Sequence, residues 1–128
     1  MAQVGTRGER LDLIVRQGAT LGPHTVTLTN PDGSAVNLTG CTIQGQVRKD
    51  PLDTGTPVAS FVINYVDPVA GKYSFEISHS VTAAIPAGEF QNSSESMYQY
   101  DMELVDSQNR IIPLHYGDFI NFREVTRV

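Results

Sequence analysis

Three histidines, one cysteine and a scatter of carboxylates are the residues on which any chemistry of this chain would have to draw. His24, His79 and His115 lie in separate stretches. None has a second His or Cys about two to four residues away, the spacing at which a loop or strand grips zinc. All three are read as surface or edge histidines, His79 just past a strand end. Cys41 falls on the apolar side of an alternating run, which predicts a buried, inert thiol. Asp101 and Glu103 share one strand and Glu76 sits on another. Paired carboxylates cleave glycosides only within a cleft that raises one pKa, and nothing around these three suggests one, so a solvated face is expected. Asp50, Asp53 and Thr54 share a loop that lacks the Asp-x-Asp-x-Asp-Gly order of a calcium loop. Asn37-Leu38-Thr39 and Asn92-Ser93-Ser94 match the glycosylation pattern and are read as chance matches. No glycine-rich phosphate loop is present. The residue types therefore predict no catalytic constellation, no cofactor and no metal, and a chain that is not an enzyme.

The elements that would position these residues read as strands. Tyr73, Phe75 and Ile77 alternate with Lys72, Ser74, Glu76 and Ser78; Tyr98, Tyr100, Met102 and Leu104 alternate with Gln99, Asp101 and Glu103. Period-two alternation marks a strand with one buried and one wet face. Tyr73, Phe75, Tyr100, Met102 and Leu104 are thus predicted core, with Glu76, Gln99 and Glu103 exposed. Leu11, Leu13 and Val15 give a first strand; Val26 and Leu28 give a second. Residues 35–38 give a short return strand after the Asn30-Pro31-Asp32-Gly33 turn. Cys41, Ile43, Gly45 and Val47 share a face, and residues 58–66 read as one strand that pairs with residues 72–78. Residues 80–84 can make one helical turn capped by Ser80. Pro113 places residues 110–116 at an edge or a bulge, Gly117-Asp118 reads as a break, and residues 119–128 close the chain. About eight short strands with turn signals roughly every ten residues spell an all-β, antiparallel, immunoglobulin-like sandwich. Gly18, Gly33, Gly40, Gly71, Gly88 and Gly117 are all read as turn glycines. Residues 1–9 read as a flexible arm and residues 10–128 as the sandwich domain.

A single domain is expected from 128 residues, and 40% hydrophobic with 18% charged residues is an ordinary globular balance. The net charge of −5 argues against nucleic acid, which calls for a basic patch. One cysteine allows no intrachain disulfide. No run is apolar for long enough to span a membrane, and the opening MAQVGTRGER holds no apolar leader, so synthesis in a cytosol and no membrane partner are expected.

An ordered set of landmarks adds a resemblance. Arg16-Gln17-Gly18-Ala19-Thr20 follows the first strand, and Asp32-Gly33 with Leu38-Thr39-Gly40 marks the first hairpin. Val47-Arg48, Gly71-x-Tyr73-x-Phe75, Thr82 with Ile85-Pro86-Ala87-Gly88, Tyr98-x-Tyr100-Asp101-Met102-Glu103-Leu104, Gly117-Asp118-Phe119 and Val125-Thr126 complete the set. Over residues 11–128 the chain resembles small accessory proteins of tailed bacteriophages with an immunoglobulin-like or baseplate-protein-N-terminal-like β-sandwich. It departs from them in the QNSSESM stretch between Gly88 and Tyr98. The resemblance implies a virion structural protein, made in the host cytoplasm, most readily a tail or baseplate component. Its expected partners are other virion proteins, copies of itself among them. A head decoration or head-completion protein and a carbohydrate-binding adhesion module are the alternatives; the absence of Trp lowers the second. Partner contacts are expected from the arm and two loops, through Arg7, Arg10, Asp50, Asp53, Asn92 and Glu95.

Overall fold

The computed structural model describes residues 2–3, 8–49, 52, 55–86 and 95–123, with the backbone alone at 2, 3, 95 and 96. Alternation of apolar side chains builds two sheets that face one another across a common core. The six-stranded sheet contains β2 (Glu9–Arg10), β3 (Leu13–Arg16), β5 (Thr42–Arg48), β6 (Ala59–Ser60), β9 (Glu95–Val105) and β10 (Ile111–Phe122). The four-stranded sheet runs β1 (Ala2–Gln3), β4 (Leu21–Thr29), β8 (Lys72–Ile77) and β7 (Val62–Asp67). The long pairings β9–β10, β5–β9, β4–β8 and β7–β8 are antiparallel. The chain is an all-β sandwich, as the alternation predicted.

Much of the core is made of inward positions named by period two: Leu13 and Val15, Ile43 and Val47, Tyr73, Phe75 and Ile77, Tyr98, Tyr100, Met102 and Leu104 are all buried, whereas Leu11, in the same alternating run as Leu13, is exposed, and Leu38, Phe61, Ile85 and Leu114 join the core from outside those runs. Glu76, Gln99 and Glu103 lie on the opposite faces but are half-buried, not exposed. Neighbouring side chains cover them: Asn64 donates to Glu76, Gln44 to Glu103, and Gln99 to Asp118.

Several local expectations change. β10 does not break at Gly117 but runs unbroken for 12 residues through the sheet interior, flanked by β9 on one side and β2 and β3 on the other. Gly117 is extended; a Cβ there would lie 2.5 Å from the Leu11 carbonyl oxygen. The missing side chain lets residues 9–16 lie parallel against β10, a close approach instead of a turn. Gly71 does serve a turn, with φ +75°. Residues 58–66 do not form one strand. The chain changes sheets at Phe61, so β6 belongs to one layer and β7 to the other. Residues 35–38 contribute a single bridge, Ala35 to Thr29. The helix α1 spans His79–Ala84 and is capped by Ser78, not Ser80, with no side-chain hydrogen bond at the cap. Cys41 is half-buried beside the core, short of the full burial expected. Phe122, whose aromatic ring the sequence assigns to the core, is half-buried, because the inward positions at that end of β10 are Phe119 and Asn121. The boundary drawn after residue 9 runs through β2, and Ala2–Gln3 lies parallel to Leu28 and Thr29 of β4.

Candidate functional site

The polar group that matters most to the interior is His115. A register shift between Pro113 and His115 lets both Leu114 and His115 turn inward. The ring is buried, so each nitrogen needs a partner. Nε2 lies 2.9 Å from the Tyr73 hydroxyl and Nδ1 lies 3.1 Å from the Tyr100 hydroxyl. The Tyr100 hydroxyl donates to the Leu11 carbonyl. A phenol has one proton to give, so Tyr100 accepts from Nδ1–H, and Nε2 accepts from Tyr73 O–H. One directional chain thus joins β8 to β10, β9 and the N-terminal segment. Phe75 packs against the imidazole with ring centroids 5.3 Å apart.

Burial pushes the His115 pKa down to about 4, with Glu9 opposing the shift, and burial raises both tyrosines. At neutral pH the three groups are uncharged. A general base needs a free nitrogen and a pKa near the working pH, and His115 has neither. Its arrangement ties the two layers together. Surface or edge histidine, the sequence reading, is therefore corrected for His115. Pro113, two residues earlier, was the available signal, because a bulge puts adjacent residues on one face. His24 and His79 are exposed, as expected.

Some of the landmark residues, Gln17, Ala19, Thr82, Ile85, Pro86 and Tyr98, meet near α1. Thr82 Oγ1 donates to the Ala19 carbonyl at 2.7 Å, and Gln17 Nε2 to the Ile85 carbonyl at 3.0 Å. Tyr98 donates to the Pro86 carbonyl at 2.6 Å and the buried Asn121 amide to Ile85 at 3.0 Å. Four separate pieces of chain are fastened through backbone acceptors, so these residues hold the fold and are not exposed for a ligand.

Of the residues expected to meet a partner, Arg10 is in β2, exposed, with Nη2 3.0 Å from Asp118 and 3.1 Å from Asp12. Asp118 also receives Gln99 at 2.7 Å. Glu95 opens β9 opposite Phe122, whereas Arg10 stands opposite Tyr116. These two positions on β10 are six residues apart, about 20 Å at strand rise. Arg7, Asp50, Asp53 and Asn92 lie outside the described residues. The two that are described, Arg10 and Glu95, thus stand at separate places along β10.

Three features are open to solvent instead. A groove of about 380 Å³ is lined by Glu9, Arg10 and Leu11 on one side and Thr25, Val26 and Thr27 on the other, with His115 contributing to its wall. On the outer face of the six-stranded sheet, Ile14, Ile120 and Met97 stand in one row across β3, β10 and β9. On the edge strand β7, Val62, Tyr65 and Val66 are exposed, and Val69 follows in the next turn. β7 was legible only as a strand. Its exposure depends on the sheet change at Phe61, which leaves one side of β7 without a neighbour among the described residues. Among the described residues, no group of three or more His, Cys, Asp or Glu could hold a metal ion, and no helix is long and apolar enough to cross a membrane.

A scan against protein-family models and a search of curated proteins both give no match to this chain.

Proposed function

We propose that this chain is a non-enzymatic structural protein of a tailed-phage virion, placed in the tail or baseplate, which acts by protein–protein contact. The observation that carries the reading is how its polar and apolar groups are deployed. The His–Tyr constellation is consumed in joining the two layers, while exposed apolar side chains gather on an edge strand and one sheet face. A stiff sandwich with such edges is suited to repeated docking. The ordered landmarks of the sequence supply the virion context. In a symmetric array weak contacts multiply, so each interface can be small.

The test is incorporation. A labelled copy is expected at the tail of purified particles by electron microscopy, and particles made without the chain are expected to lack an intact tail. Label on the head would favour the decoration reading. Normal infectious particles without the chain, together with binding of host polysaccharide by the purified protein, would replace the proposal with an adhesion module.

A further inference from the structure

Five of the six residues of the edge strand β7 form a near-palindrome, with Tyr65 in the place that mirrors Ile63 and Asp67 lying outside it. Its residues Val62-Ile63-Asn64-Tyr65-Val66 are symmetric in type about Asn64. An antiparallel pairing of two copies about a two-fold axis at Asn64 sets Val62 against the other copy's Val66 and Ile63 against its Tyr65. Asn64 meets its own counterpart. β-branched and aromatic–β-branched facings are the favourable cross-strand combinations, and facing amides can exchange hydrogen bonds. A two-fold contact requires such self-complementarity.

Exposure and charge point the same way. Val62 is 53% exposed, Val66 57% and Tyr65 40%, with Val69 in the next turn at 68%. Residues 62–66 carry no charge in a chain whose net charge is −5. Two copies repel at most approaches, but here the facing residues bring no charge of their own, and the nearest carboxylate, Glu76, sits on the neighbouring strand β8 and accepts from Asn64. Natural edges are commonly guarded by Lys or Pro, and this stretch has neither. One guard is present: a bulge between Asn64 and Asp67 sets Tyr65 and Val66 together opposite Tyr73. The Tyr65 hydroxyl accepts the Ile43 amide at 2.8 Å, which anchors the bulge to the opposite sheet. Val62 and Val66 both remain outside.

We propose that β7 is the contact through which a second copy of this chain adds to the four-stranded sheet, joining two such sheets across a two-fold axis at Asn64. The inference deepens the assembly reading and rests on it only for its setting. Four exposed apolar side chains cover less than the roughly 1,200 Å² of a stable interface, so the pair forms weakly in solution and persists in an array.

Trapping a weak pair is the test. In a Cys41→Ser background, Asn64→Cys brings two thiols face to face, since facing Cα atoms in an antiparallel pair lie about 4.5–5.5 Å apart, within disulfide reach. Under mild oxidation this variant is expected to form covalent dimer at least about tenfold faster than Ser107→Cys, an exposed turn position on the same background. Adding Val62→Lys with Val66→Lys sets like charges opposite one another and is expected to abolish the advantage. Val62→Lys with Val66→Glu sets opposite charges face to face and is expected to restore it. Equal rates for the two cysteines overturn the contact, and so does failure of the Lys–Glu combination to restore dimer in a chain that still melts cooperatively. A chain that does not dimerise through β7 yet enters particles would sink this contact and leave the assembly reading intact.

Discussion

His115 is the residue whose chemistry most affects this molecule. Its pKa falls from 6.5 to about 4 on folding because burial disfavours the imidazolium. Between these values the unfolded chain holds a proton that the folded chain does not. Stability is therefore fully present above about pH 6.5 and declines as the pH drops toward 4, by up to about 3 kcal/mol from this group. Chemical denaturation of the wild type and of His115→Phe across that range is expected to show the slope in the former and its reduction in the latter. At pH 7 the same substitution leaves the buried Tyr73 hydroxyl without its acceptor and should cost about 1–3 kcal/mol. His79→Ala, at an exposed position, should change stability by less than about 0.5 kcal/mol. Equal effects of the two substitutions would mean that the Tyr–His–Tyr chain contributes nothing.

At the scale of elements, the inner face of β8 and the parallel docking of residues 9–16 carry separable predictions. Phe75 is fully buried between Phe61 and His115. Phe75→Ala is expected to cost about 3–5 kcal/mol. Gln99→Ala loses one hydrogen bond to Asp118 on the half-buried outer face and should cost about 1 kcal/mol; both are read from urea midpoints. Gly117→Ala places a methyl against the Leu11 carbonyl and Asp12. It is expected to cost about 1–3 kcal/mol, with faster hydrogen exchange concentrated in β3 and the facing part of β10. Exchange rising evenly over the whole molecule would show that the segment does not open as a unit.

For the whole molecule, the N-terminal segment closes one side of the larger sheet. Deleting residues 1–16 removes Leu13 and Val15 from the core, each contributing about 1.5–3 kcal/mol, and uncovers the β10 edge. Loss of cooperative thermal unfolding is the expected outcome. Deleting residues 1–7 keeps β2, β3 and the Tyr100–Leu11 hydrogen bond, so cooperative unfolding should survive. Similar melting of both truncations would place the N-terminal segment outside the cooperative unit.

Much of the architecture was legible because alternation is a local property. Each inward residue of β8, β9 and β5 is fixed by parity along its own strand, and the Asp67-to-Gly71 turn makes β7 and β8 neighbours without help from elsewhere. The all-β class and most of the core follow from that alone. Parity does not say which distant strand lies alongside. The parallel seating of residues 9–16 on β10, the close approach at Gly117 and the sheet change at Phe61 depend on contacts far apart in sequence. Nor does residue type decide whether a histidine is wet or buried. His115 became an interior link only because a bulge turned it inward between two tyrosines of other strands, and β7 became an edge among the described residues only because the chain changes sheets at Phe61. Strand identity is encoded residue by residue, whereas partnership and exposure are set by the summed packing of the chain.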